Sequence, residues 1–134
     1  MQFHRGRLID HIQIVSSDVA ASRRFYEAVL GVLGIAVEGG EEWFYADELF
    51  VSGGTPLTGR CHIAFQAADA ETVAAFHAAG LAAGGRDNGG RGERSYHPGY
   101  YAAFLLDPDG NNIEAVTHGP HRRSAASVLI DVDD

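Results

Sequence analysis

The sequence predicts an α+β fold in which one chain carries two copies of a β-α-β-β-β module. The first observation is an internal repeat: residues 11–34 match residues 62–85 at an offset of 51 positions. The second is that each copy passes from apolar residues at period two to apolar residues at helical spacing. The third is the turn sequence DPDG at 107–110, which predicts a hairpin. Two copies with so long a period indicate a duplicated supersecondary unit and not a solenoid.

The repeat is carried by identical residues in one ungapped frame. The matching pairs are His11 and His62, Ile12 and Ile63, Asp18 and Asp69, Phe25 and Phe76, Ala28 and Ala79, and Gly34 and Gly85. Each copy opens with a predicted strand, IDHIQIV at 9–15 and CHIAFQA at 61–67. In both strands the histidine lies on the face opposite the large apolar residues, so it points away from the side that packs on a helix.

A helix is predicted after the first strand of each copy, because apolar residues then recur at helical spacing. Asp18 and Asp69 stand where an N-cap is expected, since a short carboxylate accepts hydrogen bonds from the free N–H groups of the first turn. Gly31 and Gly80 are predicted to end the two helices. Both aspartates are therefore interpreted as structural residues and not as catalytic ones.

Three short strands are predicted after each helix. They are residues 34–38, 41–46 and 48–53 in the first copy, and a strand near 82–87, then 100–107 and 111–118, in the second. The chain is predicted to be a single domain, 1–134, with module one at about 8–53, a linker at 53–60, module two at about 61–118 and a C-terminal tail at 119–134. For the tail, an added strand and a subunit contact are both open.

The composition excludes several classes of function. The net charge is −8, from 18 acidic and 10 basic residues, and every basic residue is arginine. Without lysine the chain has neither Schiff-base chemistry nor a P-loop, and its acidic balance argues against nucleic-acid binding. The single cysteine, Cys61, excludes an internal disulfide. No apolar run approaches the roughly 20 residues of a membrane span, and the N-terminus lacks the apolar core of a secretory signal, so a cytoplasmic location is expected.

The segment DNGGRGERSYHPG at 87–99 is predicted to be a glycine-rich loop. It is longer than a connector needs to be, which favours a lid or a substrate loop. Arg86, Arg91 and Arg94 lie in or beside this segment. Arginines in such a loop are usually solvated, but they can also bind an anionic small molecule.

Glu114 lies within the predicted strand at 111–118, on the face opposite its apolar neighbours. A carboxylate inside a strand is costly unless it is exposed, paired or bound to a metal. With His11 and His62 it forms a two-histidine, one-carboxylate set, which suits Fe(II) and also Mn, Ni, Co or Zn. The repeat predicts that the two first strands lie side by side and bring the histidines together. Taken singly, each histidine is compatible with a structural role and Glu114 with a surface carboxylate.

Three segments resemble the vicinal oxygen chelate superfamily, which includes glyoxalase I, extradiol dioxygenases, fosfomycin-resistance enzymes and bleomycin-binding proteins. They are DHIQIVSSDVAASRRFYEAVLG at 10–31, CHIAF at 61–65 and YYAAFLLDPDGNNIEAV at 100–116. The resemblance covers roughly residues 8–118. It implies an open, cup-shaped, eight-stranded mixed sheet around a metal, with the helices on its outer face.

The resemblance also implies the roles of particular residues. The family's ligand positions match His11, His62 and Glu114, whereas the fourth position falls near Phe50, which cannot bind a metal. Three protein ligands are similar to the dioxygenase and fosfomycin-resistance arrangements, and unlike glyoxalase I, which commonly has four. A small-molecule substrate with adjacent oxygens would chelate the metal, which acts as a Lewis acid. The candidates for catalytic proton transfer are His97, Tyr100, Tyr101, Gln13 and Gln66.

The predicted function is thus a small metal-dependent enzyme, either dioxygenase-like or lyase/isomerase-like. One alternative is a metal-free ligand-binding protein of the bleomycin-resistance type, with an aromatic ligand in a groove lined by Trp43, Phe44 and Tyr45. Another is a fosfomycin-resistance-type thiol transferase, which uses the same three ligands. The lysine-containing potassium loop of some of those enzymes has no counterpart in a chain without lysine.

The resemblance further implies a homodimer, whereas the acidic composition argues against a nucleic-acid partner and the lack of a long apolar run argues against a membrane partner. Two chains that exchange modules would take His11 from one chain, and His62 with Glu114 from the other. Alternatively, one chain would supply all three side chains. The sequence does not choose between these two arrangements.

Overall fold

The computed structural model describes residues 1–133, which form ten strands and two helices. In chain order they are β1 Gln2–Arg5, β2 Ile12–Ser16, α1 Val19–Val32, β3 Glu38–Gly39, β4 Trp43–Ala46, β5 Leu49–Gly53, β6 His62–Gln66, α2 Ala70–Ala82, β7 Arg86–Glu93, β8 Tyr101–Leu106, β9 Asn112–Thr117 and β10 Val128–Asp131. Neither helix is long and apolar enough to cross a membrane.

Two four-stranded mixed sheets with the same topology confirm the duplicated module. Their strand orders are β2-β5-β4-β3 and β6-β9-β8-β7. In each sheet the first strand pairs in parallel with the last strand of its module, and the remaining pairs are antiparallel. The α+β fold with its open eight-stranded arrangement is therefore confirmed, with the eight strands divided equally between two hydrogen-bonded sheets.

The predicted N-caps are confirmed, but the helix ends are not where the sequence predicted them. The Asp18 carboxylate accepts from the N–H of Ala21 at 3.1 Å, and Asp69 accepts from the N–H of Thr72 at 2.8 Å. Ends at Gly31 and Gly80 were wrong, because both residues lie inside their helices.

The glycines that follow the helices, Gly34 and Gly84, have positive φ angles of 77° and 98°. A residue in this left-handed conformation ends the helix, and glycine adopts it with little steric strain because it has no Cβ. In the structure Gly34 therefore corresponds to Gly84, one residue earlier than Gly85, with which the sequence repeat paired it. Gly80 has a packing role instead: a Cβ there would lie 2.2 Å from Leu105 Cδ1 and 3.0 Å from Val29 Cγ1.

Two predicted strands and the predicted loop at 87–99 differ in the structure. Only Glu38–Gly39 is strand where residues 34–38 were expected, and the strand expected near 82–87 is β7, at Arg86–Glu93. The glycine-rich segment is thus mostly strand. Its pairing with β8 has register shifts around Gly89, where φ is 139°. A bulged strand without regular alternation gives no period-two pattern in the sequence.

The C-terminal tail, which the sequence patterns left unplaced, contributes an added strand. β10 pairs antiparallel with β1, with Phe3 opposite Ile130. The two ends of the described chain are therefore held together in a small two-stranded sheet, separate from both module sheets.

One apolar core is shared by both modules. α1 and α2 pack on each other, and α2 lies on strands β7, β8 and β9. The core includes Phe25 and Phe44 of module one, and Phe76 and Ile113 of module two, all fully buried. The helices occupy one side of the sheets. Along each strand, polar residues alternate with the core residues, so the polar side chains face the other side. The candidate site lies on that other side.

A buried hydrogen bond joins the helix of module one to the DPDG turn of module two. The Tyr26 hydroxyl donates to Asp107 Oδ2 at 2.7 Å, and Asp107 also accepts from the backbone N–H groups of Asp109 and Asn111. Burial and the negative charge of Asp107 raise the pKa of Tyr26 well above its usual value. Asp107 thus serves the turn and the joint between the modules.

We expect Tyr26→Phe to lower the free energy of unfolding by about 2 kcal/mol, because a buried hydrogen bond to a charged acceptor is lost without creating a cavity. The matched control is Tyr45→Phe, since the exposed Tyr45 hydroxyl donates to the exposed carboxylate of Glu38 at the same distance, 2.7 Å. Urea unfolding of both variants measures the difference. Equal losses of stability would contradict this account of the joint.

Candidate metal centre

His62 and Glu114 meet on neighbouring parallel strands, β6 and β9. His62 opens β6, and Glu114 lies opposite Ala64 across the β6–β9 pair. The neighbours of Glu114 in β9, Ile113 and Ala115, point into the core, so its side chain lies on the opposite face of the sheet. The distance from His62 Nε2 to Glu114 Oε1 is 2.8 Å. The structure thus brings together two of the three predicted ligands.

Tyr100 completes the surroundings of the Glu114 carboxylate. Its hydroxyl donates to Glu114 Oε2 at 2.5 Å, so each carboxylate oxygen has one partner. Burial and the hydrogen bond to Glu114 raise the pKa of Tyr100 to about 12. At neutral pH the phenol is therefore protonated and acts as a hydrogen-bond donor to the carboxylate.

The His62–Glu114 pair fits a divalent metal ion. Two ligand atoms, each about 2.1 Å from a metal and at right angles to each other, lie about 3 Å apart, close to the observed 2.8 Å. Glu114 is only 2% exposed, and no arginine pairs with it among residues 1–133, so its buried charge is without a permanent cationic partner. The His62 side chain is 52% exposed, which leaves the site open to an ion and a substrate.

His11 does not reach this pair within one chain. It lies just before β2, on the sheet of module one, and its ring is 67% exposed. Its Nδ1 contacts the Asp10 carboxylate at 2.7 Å, which leaves Nε2 directed elsewhere. Within residues 1–133 of one chain, no three histidine, cysteine or acidic side chains are grouped as metal ligands.

The other predicted catalytic residues occupy different places. Tyr101 lies on the opposite face of β8 from Tyr100 and packs against the core. His97 lies in the turn before β8, where its Nδ1 contacts the carbonyl oxygen of Pro98 at 2.8 Å. Gln13 donates to the Ser52 hydroxyl at 3.0 Å on the sheet of module one, and the exposed Gln66 ends β6. Of these candidates only Tyr100 contacts Glu114.

A histidine that the sequence analysis missed, His118, lies beside Tyr100. Because a carbonyl oxygen only accepts hydrogen bonds, Nδ1 of His97 carries its proton. In the neutral pair, Nε2 of His97 therefore accepts from His118 Nδ1, at 2.9 Å. Both imidazole rings meet the Tyr100 ring edge-on, with centroids 5.5 Å away. Period-two spacing from Glu114 predicts a residue at this position on the same strand face, and could have found it.

The sheet of module one carries an aromatic surface, formed by Trp43, Tyr45 and Phe50. The rings of Trp43 and Tyr45 stack at 6.0 Å with an interplanar angle of 12°, and Phe50 lies 6.3 Å from Trp43. Trp43 and Tyr45 are exposed. The prediction that Phe44 lines this groove was wrong, because alternation along β4 turns its ring into the core, where it is fully buried.

Neither a protein-family model nor a curated protein sequence matches this chain. Solved structures do match. A glyoxalase/bleomycin resistance protein from Albidiferax ferrireducens is 32% identical, with a TM-score of 0.67 over 81% of this chain and 97% of that protein. A glyoxalase/bleomycin resistance protein/dioxygenase family enzyme from Burkholderia phytofirmans is 20% identical, with a TM-score of 0.65 over 80% and 95% of the two chains. A glyoxalase-related enzyme from Fulvimarina pelagi is 20% identical, with a TM-score of 0.64 over 82% and 87%.

The two more distant structures show the same fold, and the first also has substantial sequence identity over nearly its whole length. The shared architecture is the one that the resemblance of residues 8–118 implied. The chain belongs to the glyoxalase/bleomycin resistance protein family, within the vicinal oxygen chelate superfamily.

Proposed function

We propose that the protein is a metal-dependent enzyme that binds a small molecule with adjacent oxygens at a site formed by His11, His62 and Glu114. The observation that carries the proposal is the 2.8 Å contact between His62 Nε2 and the buried Glu114 carboxylate. A histidine and a carboxylate at that spacing, on the open side of a sheet, are ligands for Fe, Mn, Ni, Co or Zn. Three protein ligands leave positions on the ion for two substrate oxygens.

The third ligand is assigned to the other chain of a homodimer. His11 is exposed and belongs to the sheet of module one, whereas His62 and Glu114 belong to the sheet of module two. Among residues 1–133, the two modules pack on each other chiefly through α1 and α2, and no strand of one module sheet pairs with a strand of the other. A second copy that lays its module-one sheet over the module-two sheet would complete the set with His11 of the partner subunit.

Glu114 and Tyr100 are proposed to have different roles at this site. A metal ion held by these residues would supply Lewis-acid chemistry for the substrate oxygens, or would activate oxygen. Glu114 supplies the negative charge that retains the ion, and Tyr100 holds one carboxylate oxygen in place by donating to Oε2. The hydroxyl of Tyr100 thus acts as a hydrogen-bond donor that positions the Glu114 carboxylate. The reaction is proposed to be dioxygenase-like or lyase/isomerase-like.

Metal content tests the proposal directly. Protein prepared without chelator and loaded with Mn(II), Fe(II), Ni(II) or Zn(II) is expected to hold about one ion per chain for at least one metal. His62→Ala or Glu114→Ala is expected to reduce affinity about 100-fold or more, because either change removes a direct ligand. The measurement is elemental analysis after dialysis, with isothermal titration calorimetry for affinity.

The matched control is His77→Ala. His77 also contacts a carboxylate, Asp87, at 2.9 Å, but this pair lies on the helix side of the molecule, between α2 and β7. The variant is expected to bind as much metal as the parent protein. If His62→Ala behaves like His77→Ala, the metal site does not exist.

A metal-free ligand-binding protein is the second candidate, and the exposed stack of Trp43 and Tyr45 favours it. Flat aromatic side chains on an open surface bind planar ligands well. This candidate requires tight binding that EDTA does not change, together with no turnover. Because Trp43 is the single tryptophan, its fluorescence reports directly on ligands at the aromatic surface.

A further inference from the structure

One arginine of the segment 86–94 differs from the other two. Arg86 and Arg91 are exposed, whereas Arg94 is half-buried and its side chain folds back over β7. Its Nη1 donates to the carbonyl oxygen of Gly92 at 2.9 Å and to that of Glu93 at 3.3 Å, and its Nη2 donates to Gly90 at 2.7 Å. The guanidinium is therefore held in one orientation by the backbone.

The glycines of β7 make room for this side chain. A Cβ on Gly92 would lie 3.2 Å from Arg94 Nη1, and a Cβ on Gly89 would lie 3.5 Å from Nη2. The distance at Gly92 is shorter than an ordinary van der Waals contact, so a side chain there would compete with the guanidinium for space, whereas the distance at Gly89 is that of an ordinary contact. The glycine-rich sequence thus has a structural consequence: it lets the side chain of Arg94, the residue after β7, lie back along that strand.

The position of Arg94 is on the same sheet face as the candidate metal centre. Its guanidinium carbon lies 5.3 Å from the centre of the Phe104 ring, and that ring centre lies 6.0 Å from the centre of the His62 ring. Phe104 is the cross-strand neighbour of Glu114, and directly opposed residues share a face. Added together, these two distances put the guanidinium carbon of Arg94 within ~11.3 Å of the centre of the His62 ring.

Arg94 keeps part of its hydrogen-bonding capacity and all of its charge. Of the five N–H groups of a guanidinium, the three bonds to carbonyls occupy three, which leaves the one on Nε and one on Nη2. Within residues 1–133, no carboxylate oxygen lies within 4.0 Å of Arg94.

We propose that Arg94 binds an anionic group of the substrate, a carboxylate or a phosphate-like group, while the adjacent oxygens of the same molecule face His62 and Glu114. This inference rests on the proposed metal site. A guanidinium that is already oriented and has two free donors suits bidentate binding of such a group. The substrate class is therefore a small organic anion with two neighbouring oxygens several ångströms from its charged group.

The test uses two probes that chelate a metal in the same way. They are 3,4-dihydroxybenzoate and its neutral counterpart, 3,4-dihydroxybenzamide, titrated into Mn(II)-loaded protein by calorimetry. The parent protein is expected to bind the benzoate about 10-fold more tightly than the benzamide, because the charged group gains a salt bridge. In Arg94→Gln this ratio is expected to fall to near 1, through loss of affinity for the benzoate alone.

Arg91→Gln is the matched control, since Arg91 is an exposed arginine of β7, three residues before Arg94, and it is expected to keep the ratio of the parent protein. Arg94→Lys keeps the charge and is expected to give an intermediate ratio, which a purely structural role would not produce. Binding of both probes with a ratio that Arg94→Gln leaves unchanged would overturn the role of Arg94 alone. A parent protein that binds neither probe would overturn the metal site, and this inference with it.

Discussion

A hybrid dimer made from one His11→Ala chain and one His62→Ala chain is expected to bind about one metal ion, although each variant alone binds almost none. In this dimer both substitutions fall in the same site when ligands come from two chains. The other site then keeps His11 of one chain with His62 and Glu114 of the other. The separation of His11 from the His62–Glu114 pair within one chain is the reason for this expectation.

The hybrid is obtained by co-expression of the two variants with different affinity tags, followed by purification over both tags. Elemental analysis gives the metal content per dimer, and the two homodimeric variants serve as controls. If each site were built within a single chain, both sites of the hybrid would lack one histidine. A hybrid as empty as its parents would therefore contradict assembly between chains.

The largest expected loss of stability is that of Phe25→Ala, about 4 kcal/mol in the free energy of unfolding, because a fully buried ring leaves a cavity. Phe25 is 0% exposed and meets the Tyr26 ring edge-on at 5.0 Å. It fills the space beside two glycines of module two: a Cβ on Gly85 would lie 2.5 Å from its ring, and one on Gly80 would lie 3.3 Å away. The ring therefore belongs to the joint between the modules.

The control for this variant is Phe3→Ala, since Phe3 is half-buried in the small sheet formed by the two ends of the chain. It is expected to cost less than about 1 kcal/mol, as removal of a partly exposed side chain outside the core usually does. Urea unfolding followed by circular dichroism measures both variants. Similar losses in the two variants would contradict the role given to Phe25.

Much of the fold was predictable because local patterns and the repeat agree. The offset of 51 residues set the element order, and the N-cap aspartates marked the helix starts, which the structure confirms. β7 was predicted too early and too short because its glycines carry no side chains to alternate, and the short β10 is held by pairing with β1, far away in sequence. Such pairings depend on distant partners that no local pattern contains.

Part of the candidate centre was likewise predictable from the sequence, and part required the tertiary structure. Alternation along β6 and β9 placed His62 and Glu114 on the open side of the sheet, and the structure brings them to 2.8 Å. Spacing could not distinguish Tyr100 from its neighbour Tyr101, since only the register of β8 decides which of them faces Glu114. The choice of Arg94 among three arginines also depended on tertiary structure, because it follows from the backbone carbonyls that hold its guanidinium.

By itself, the sequence determined a duplicated βαβββ module and the faces of its first and last strands, and it predicted the residue types of a candidate metal-binding set. Only the tertiary structure decided that the modules join through their helices, which separates His11 from His62 and Glu114 within a chain. The physical reason is that the repeated local pattern determines the secondary structure of each module, whereas the packing of one module on the other depends on the shapes of the side chains that meet between them. Here the ring of Phe25 on α1 packs against α2 at Gly80, where the absence of a side chain leaves room for it.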